Sequence, residues 1–170
     1  MDGIQYKENF LHTHGYLLHY LKHTVRWDES MKARKTASFG KAYNYSQINY
    51  PYQDLNGELA QLVVLLEEEL GFKPNNCLIN YYLNGNSRMG FHSDQTDILY
   101  AGTGVAIISL GSTRVLRFRN IDNKTIIHDF ELKSGSLLYM SADIQNAWQH
   151  SIPKSSTDEA RMSLTFRKLV

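Results

Sequence analysis

The chain has 170 residues, of which 42% are hydrophobic and 21% charged, with a formal net charge of +1. That length suits one domain rather than two, with a core large enough to stand without staples. One cysteine, Cys77, excludes an internal disulfide and a multi-cysteine zinc site. No apolar run approaches the roughly 18 residues needed to cross a bilayer. The first residues, Met1-Asp2-Gly3-Ile4-Gln5, do not read as a secretory signal. A reducing setting, cytoplasmic or, in a eukaryote, nuclear, is therefore expected, with a monomer and no membrane association. The charge is also uneven. Residues 22–52 hold six basic side chains against Asp28 and Glu29, whereas residues 53–71 hold five acids and no Lys or Arg.

In chain order, Leu17, Leu18, Leu21 and Val25 recur at helical spacing and predict a helix over residues 13–25. Residues 32–52 are polar, aromatic and aperiodic, and read as a long loop or irregular hairpin. Leu55, Leu59, Leu62, Val63, Leu66 and Leu70 mark an amphipathic helix, with Asp54 or Asn56 to cap it and Gly71 to stop it. After Pro74 the pattern changes to short β-rich runs at 77–83, 89–92, 105–110, 114–119, 125–132, 136–140 and 162–169. Gly, Asn and Asp signals separate most of them. The expected fold is α+β but mainly β: a small jelly roll buttressed by N-terminal helices.

Seven histidines raise the question of a metal. His92-Ser93-Asp94 is the one His-x-Asp in the chain, and on an extended segment residues i and i+2 share a side. His150, in Trp148-Gln149-His150-Ser151-Ile152-Pro153, is the best third ligand. Two histidines and one carboxylate suit non-haem Fe(II), because that set leaves coordination positions open. His12, His14, His19 and His23 form a second cluster, but no carboxylate or cysteine accompanies them, and a solvent-facing helix is the better reading. Cys77 reads as a small buried hydrophobe.

In Arg161-Met162-Ser163-Leu164-Thr165-Phe166-Arg167, two arginines six residues apart share a strand face. Leaning toward each other, they leave a gap comparable to a five-carbon diacid, and arginine grips carboxylates bidentately. Asn80 and Tyr82 also share one side, on the run upstream of His92.

Taken together, Leu78-Ile79-Asn80-Tyr81-Tyr82, His92-x-Asp94, Ser134-Gly135-Ser136-Leu137-Leu138-Tyr139-Met140, His150-Ser151-Ile152-Pro153 and Arg161-x5-Arg167-Lys168 resemble the AlkB-type Fe(II)/2-oxoglutarate-dependent dioxygenases, over roughly residues 33–169. The resemblance implies a double-stranded β-helix, with His92, Asp94 and His150 as catalytic iron ligands. It implies that Asn80, Tyr82, Arg161, Ser163 and Arg167 hold 2-oxoglutarate, with O₂ as the other cosubstrate. The implied reaction is oxidative demethylation of N-alkylated bases in DNA or RNA, releasing formaldehyde, succinate and CO₂. Residues 1–170 would then form one dioxygenase domain: 1–53 a helix and substrate lid, 54–73 a supporting helix, and 74–170 the jelly-roll core.

In that family the segment before the core covers the iron and recognises a nucleotide. Its counterpart here interleaves basic and aromatic residues, which suits phosphate contact and base stacking. Arg34, Lys35, Phe39, Tyr43 and Tyr45 are the candidate substrate contacts, with Lys32 and Lys41 as further phosphate contacts. Repair members carry an acid two residues after the metal aspartate; that position is Thr96 here, with Asp97 one residue later, and base preference is left open. The position two after the first cosubstrate arginine is often Asn and is Ser163 here. Two alternatives remain: a hydroxylase of a small metabolite or protein side chain on the same fold, and a nucleic-acid-binding module with a dead iron site.

Overall fold

The computed structural model describes every residue except 44–47. Its elements in chain order are β1 (Ile4–Lys7), α1 (His14–Thr24), β2 (Lys35–Gly40), α2 (Gly57–Leu70), β3 (Asn76–Tyr82), β4 (Met89–His92), β5 (Val105–Gly111), β6 (Arg114–Asn120), β7 (Ile127–Leu132), β8 (Leu137–Met140), α3 (Ile144–Ala147), β9 (Trp148–Ile152) and β10 (Arg161–Arg167). A six-stranded sheet has the order β1-β8-β5-β10-β3-β2, and a four-stranded sheet the order β4-β9-β6-β7. From β3 onward the chain passes back and forth between the two sheets, which is the winding of a double-stranded β-helix. No helix among the described residues is long and apolar enough to cross a membrane.

Strand alternation gives the larger sheet two different faces. Cys77, Ile79 and Tyr81 of β3, Ala106, Ile108 and Leu110 of β5, and Met162, Leu164 and Phe166 of β10 join one apolar cluster. Leu17 and Leu21 of α1 and Leu59, Leu62, Val63 and Leu66 of α2 complete that cluster. Burial explains why these leucines recur at helical spacing. The other face looks toward the smaller sheet. There Val105, Ile107, Leu138 and Met140 meet Leu116, Phe118, Leu132 and Ile152 in a second cluster. On β10 that inner face is polar: Arg161, Ser163, Thr165 and Arg167 are all buried.

The helix and strand limits fall within a few residues of those expected, and Gly71 ends α2 in the left-handed conformation at φ 80°. Three strands depart from expectation. β2 lies inside the stretch read as a long loop or irregular hairpin, and pairs residue for residue with β3 from Lys35↔Tyr81 to Gly40↔Asn76. β9 forms around His150, between β4 and β6. β1 closes the far edge of the larger sheet against β8.

Arg114, at the start of β6, is 2% exposed and holds the loops around the smaller sheet together. It donates to the carbonyls of Asn84 (3.2 Å), Ser87 (2.8 Å) and Pro153 (2.7 Å). These belong to the β3–β4 connection and the exit from β9. Arg114→Met fills similar volume but strips buried carbonyls of their donor, at a cost of about 3 kcal/mol. The expected outcome is a lower urea midpoint at unchanged m-value; an unchanged midpoint would show that water replaces the guanidinium without loss.

Candidate metal and cosubstrate site

Strand pairing builds the metal cluster. β4 and β9 run antiparallel with His92 directly opposite His150, and the ring centroids lie 4.3 Å apart. Asp94 follows two residues past the end of β4. Its Oδ1 is 3.3 Å from His92 Nε2 and 3.4 Å from His150 Nε2. The segment carrying it is pinned to the α3–β9 region: the Asp94 N–H donates to Gln145 Oε1 (2.7 Å), and Ser93 Oγ donates to the Trp148 carbonyl (2.9 Å).

The donor set fits a divalent cation. His92 Nδ1 is 3.0 Å from the Gly90 carbonyl, an acceptor, so the proton sits on Nδ1 and the Nε2 lone pair faces Asp94. Burial works against charge on Asp94. Arg167 and the two imidazoles outweigh it and hold the carboxyl well below the usual range. Burial also lowers His150, against the pull of Asp94, and keeps it neutral. At His92 burial opposes protonation, but Asp94 and the Gly90 carbonyl raise the pKa overall. A carboxylate facing two imidazole nitrogens is the arrangement that a cation completes. Among the described residues, this is the one group of three His, Cys, Asp or Glu side chains close enough to share an ion, with ligand atoms within 4.8 Å of one another.

The cluster opens into a cavity of about 400 Å³ between the sheets, whose lining includes Asn80, Tyr82, Arg161, Ser163 and Arg167. Arg161 is 1% exposed. Its Nη2 donates to Ser109 Oγ at 2.9 Å, while Nε and Nη1 are buried with no hydrogen-bond partner among the described residues. Burial lowers its pKa to about 10, with no carboxylate to offset that effect. A buried guanidinium with orphaned donors is the opposite half of a carboxylate site. Arg167 lines the same cavity, and its buried Nε and Nη1, like those of Arg161, have no hydrogen-bond partner among the described residues. Its Nη2 donates to Asp94 Oδ2 at 2.8 Å, and its guanidinium stacks over the Tyr43 ring at 4.6 Å.

Of the candidate substrate contacts, Arg34 and Tyr43 line the cavity. Arg34 Nε donates to Asn80 Oδ1 (2.8 Å) and Nη1 to the Arg88 carbonyl (3.2 Å). Lys35 and Phe39 do not line it. They fall on the opposite side of β2, where Lys35 pairs with Glu29 at 2.9 Å and Phe39 packs against the helix-side core. A loop would let neighbours converge; a strand sends them apart. Thr96 and Asp97 also stay outside: the Thr96 carbonyl accepts from Leu99 N–H in a turn, and Asp97 is exposed. Tyr45 lies outside the described residues. Thr36 and Tyr50 of the basic and aromatic stretch also line the cavity, as do Gln95 and Thr165, which were not singled out. Spacing offered a signal only for Thr165, which shares the strand face of the two arginines.

The profile of the 2OG-Fe(II) oxygenase superfamily matches residues 5–167. The chain belongs to that superfamily. Fe(II), 2-oxoglutarate and O₂ are its cofactors, and the His92–Asp94–His150 cluster is the possible iron site. Within the superfamily the likeness is to AlkB-type proteins. The Bos taurus alpha-ketoglutarate-dependent dioxygenase alkB homolog 3 is 33% identical over 145 residues, covering 79% of this chain and 51% of the relative. The Mus musculus DNA oxidative demethylase ALKBH2 is 30% identical over 148 residues, covering 81% and 62%. The chain thus spans about half the length of alkB homolog 3. The solved structure of OsALKBH1 superposes with a TM-score of 0.71 over 99% of both chains at 14% identity, which supports the double-stranded β-helix as a fold.

Asp94→Ala removes the only carboxylate of the cluster and leaves Arg167 facing two neutral imidazoles. Titration with Co(II), read by its visible absorption, should give one bound equivalent for the parent superfamily domain and none for the variant. Equal binding by both would show that the ion sits elsewhere.

Proposed function

We propose that this chain is an AlkB-type Fe(II)/2-oxoglutarate-dependent dioxygenase that oxidatively demethylates N-alkylated bases in DNA or RNA. The observation that carries the reading is one cavity joining the His92–Asp94–His150 cluster to the orphaned guanidinium of Arg161. Bound together, Fe(II), 2-oxoglutarate and O₂ supply the oxidation of an N-methyl carbon, which leaves as formaldehyde alongside succinate and CO₂. The chain's own part is placement. Arg161 grips a carboxylate of the cosubstrate, with Asn80, Tyr82 and Ser163 on the same wall. Tyr82 is held in turn between the guanidiniums of Arg161 (5.3 Å) and Arg114 (5.7 Å).

β2 and the residues that flank it form the lid. Arg34, just before β2, and Thr36, on its inner side, face the cavity, and Tyr43 and Tyr50 beyond it present aromatic surface on which an extruded base stacks. α1 and α2 buttress the opposite face of the larger sheet, and residues 1–170 act as one unit. The relatives named for DNA demethylation support a nucleic-acid substrate. Formaldehyde release from methylated oligonucleotides separates this reading from hydroxylation of a small metabolite or protein side chain.

Arg161→Lys keeps the charge and loses the planar fork. The KM for 2-oxoglutarate should rise by about tenfold or more, the scale of one lost charge-assisted hydrogen bond, with a smaller change in kcat. An unchanged KM would remove Arg161 from the cosubstrate site.

Arg34→Ala should weaken oligonucleotide binding whatever the sequence and flatten its dependence on salt, because a phosphate contact positions the strand without reading it. An identical salt slope would place the strand elsewhere.

A further inference from the structure

Three lysines outside the cavity meet at one end of the larger sheet. β2 and β10 both run antiparallel to β3, with Gly40 and Arg167 each opposite Asn76. The exit of β2, the entry to β3 and the exit of β10 therefore share one edge, and Lys41, Lys73 and Lys168 stand at those three places. Their backbones are tied together there. Lys41 N–H donates to the Asn75 carbonyl (2.8 Å), Asn75 N–H to the Arg167 carbonyl (2.9 Å), and Leu169 N–H to Asn75 Oδ1 (2.8 Å).

The three side chains line a groove of about 880 Å³ that runs against α2, beside Leu55, Val63 and Val64. Lys41 and Lys73 are exposed and Lys168 is half-buried. The lysine ion pairs among the described residues are those of Lys7, Lys35 and Lys133, so the three groove lysines have no carboxylate partner there. The Lys168 ammonium lies instead 4.6 Å from the centre of the Tyr100 ring. Among the described residues Asp54 is the one acid lining the groove, and it accepts the Tyr52 hydroxyl. Three ammonium groups thus face one carboxylate, which is already engaged.

Aromatic side chains join this groove to the cavity. Tyr43 and Tyr50 line both the cavity and a narrow cleft beside it, and Gly40 and Tyr52 line both that cleft and the groove. Tyr52 is 73% exposed, so its ring offers a face to solvent. Rings leading from a cavity into a lysine-lined groove have the composition of a single-strand track: the lysines take phosphates and the rings take the faces of unpaired bases. An acidic peptide would meet the lysines but brings no flat face to Tyr52, and a duplex keeps its base faces covered.

We propose that the groove of Lys41, Lys73 and Lys168 binds the single strand flanking the base held in the cavity, with Tyr52 stacking on a neighbouring base. The step rests on the demethylase reading above. The groove contributes affinity and register, not chemistry, and only a strand long enough to leave the cavity reaches it.

The test compares a methylated trinucleotide with a methylated single strand of about fifteen nucleotides, near the upper range of single-strand site sizes. Affinity is read by anisotropy over a series of salt concentrations, on the whole chain with 2-oxoglutarate and Mn(II) in place of Fe(II). The parent should bind the longer strand about tenfold more tightly or better. In Lys73→Gln/Lys168→Gln the plot of log affinity against log salt for the longer strand should be shallower by about 1.4, two phosphate contacts at about 0.7 each. Tyr52→Ala should cost the longer strand about tenfold, and Tyr52→Phe should restore it, since the ring and not the hydroxyl stacks. Trinucleotide affinity reports whether fold and cavity are intact in each variant. Equal affinity of the parent for both lengths, or an unchanged salt slope in the double variant, overturns the inference and leaves the demethylase reading standing. A loss shared equally by both lengths overturns it as well, because the groove would then act through the cavity. Equal competition by a poly-glutamate peptide of the same charge overturns it in favour of an acidic protein partner. Formaldehyde, measured on the same strands with Fe(II), keeps the two readings apart: none from either strand overturns both.

Discussion

The Asp94 carboxylate is the point on which the two sheets meet. One oxygen faces the imidazoles of the smaller sheet, and the other takes a guanidinium from β10 of the larger sheet at 2.8 Å. Burying a carboxylate costs several kcal/mol unless partners replace its water. Here the replacement is complete, with Arg167, His92 and His150 together holding it ionised. The same contacts tie β10 of the larger sheet to β4 and β9 of the smaller one at the wall of the cavity.

The strand opposite carries the other half of the logic. Every residue of β10 is buried, yet its faces differ in kind: Met162, Leu164 and Phe166 fill the helix-side core, while Arg161, Ser163, Thr165 and Arg167 face the cavity. Arg167 has its anion within the chain. Arg161 does not, and the buried donors it leaves without partners are a standing cost to the fold. Neighbouring Tyr82 and Ser109 offset part of that cost. A stability-optimised core would carry a leucine there. Under the proposed function the unmet guanidinium receives the cosubstrate's carboxylate, and sequences depart from the best local choice at functional sites.

How much of this could be read beforehand depended on whether the signal was local. His92 and Asp94 stood out because i and i+2 share a side of an extended chain, and the two arginines for the same reason. Both helices were visible because α1 and α2 bury one stripe each. β9 was not visible, since Trp148-Gln149-His150-Ser151-Ile152 shows no apolar alternation; its strand exists because β4 and β6 flank it on either side. β2 was missed for a related reason. Lys35-Thr36-Ala37-Ser38-Phe39-Gly40 has weak β character, and pairing with the buried strand β3 imposes the extended form. That pairing also separates Arg34 from Lys35, which sequence alone could not do.

β2 changes what the lid is. A loop over the cavity would contribute its basic residues as a diffuse cloud, with Lys35 as available as Arg34. As an edge strand the lid has a register, and only alternate side chains reach the chamber. Arg34, next to that edge, donates to Asn80 at 2.8 Å, and Asn80 lies on β3 in register with Ser163 of β10. Thr36, Asn80 and Ser163 thus lie in register on three adjacent strands of one hydrogen-bonded sheet. Under the proposed function, the groups that would meet a base and those that would hold 2-oxoglutarate are positioned by the same backbone ladder, so their spacing is set by strand geometry.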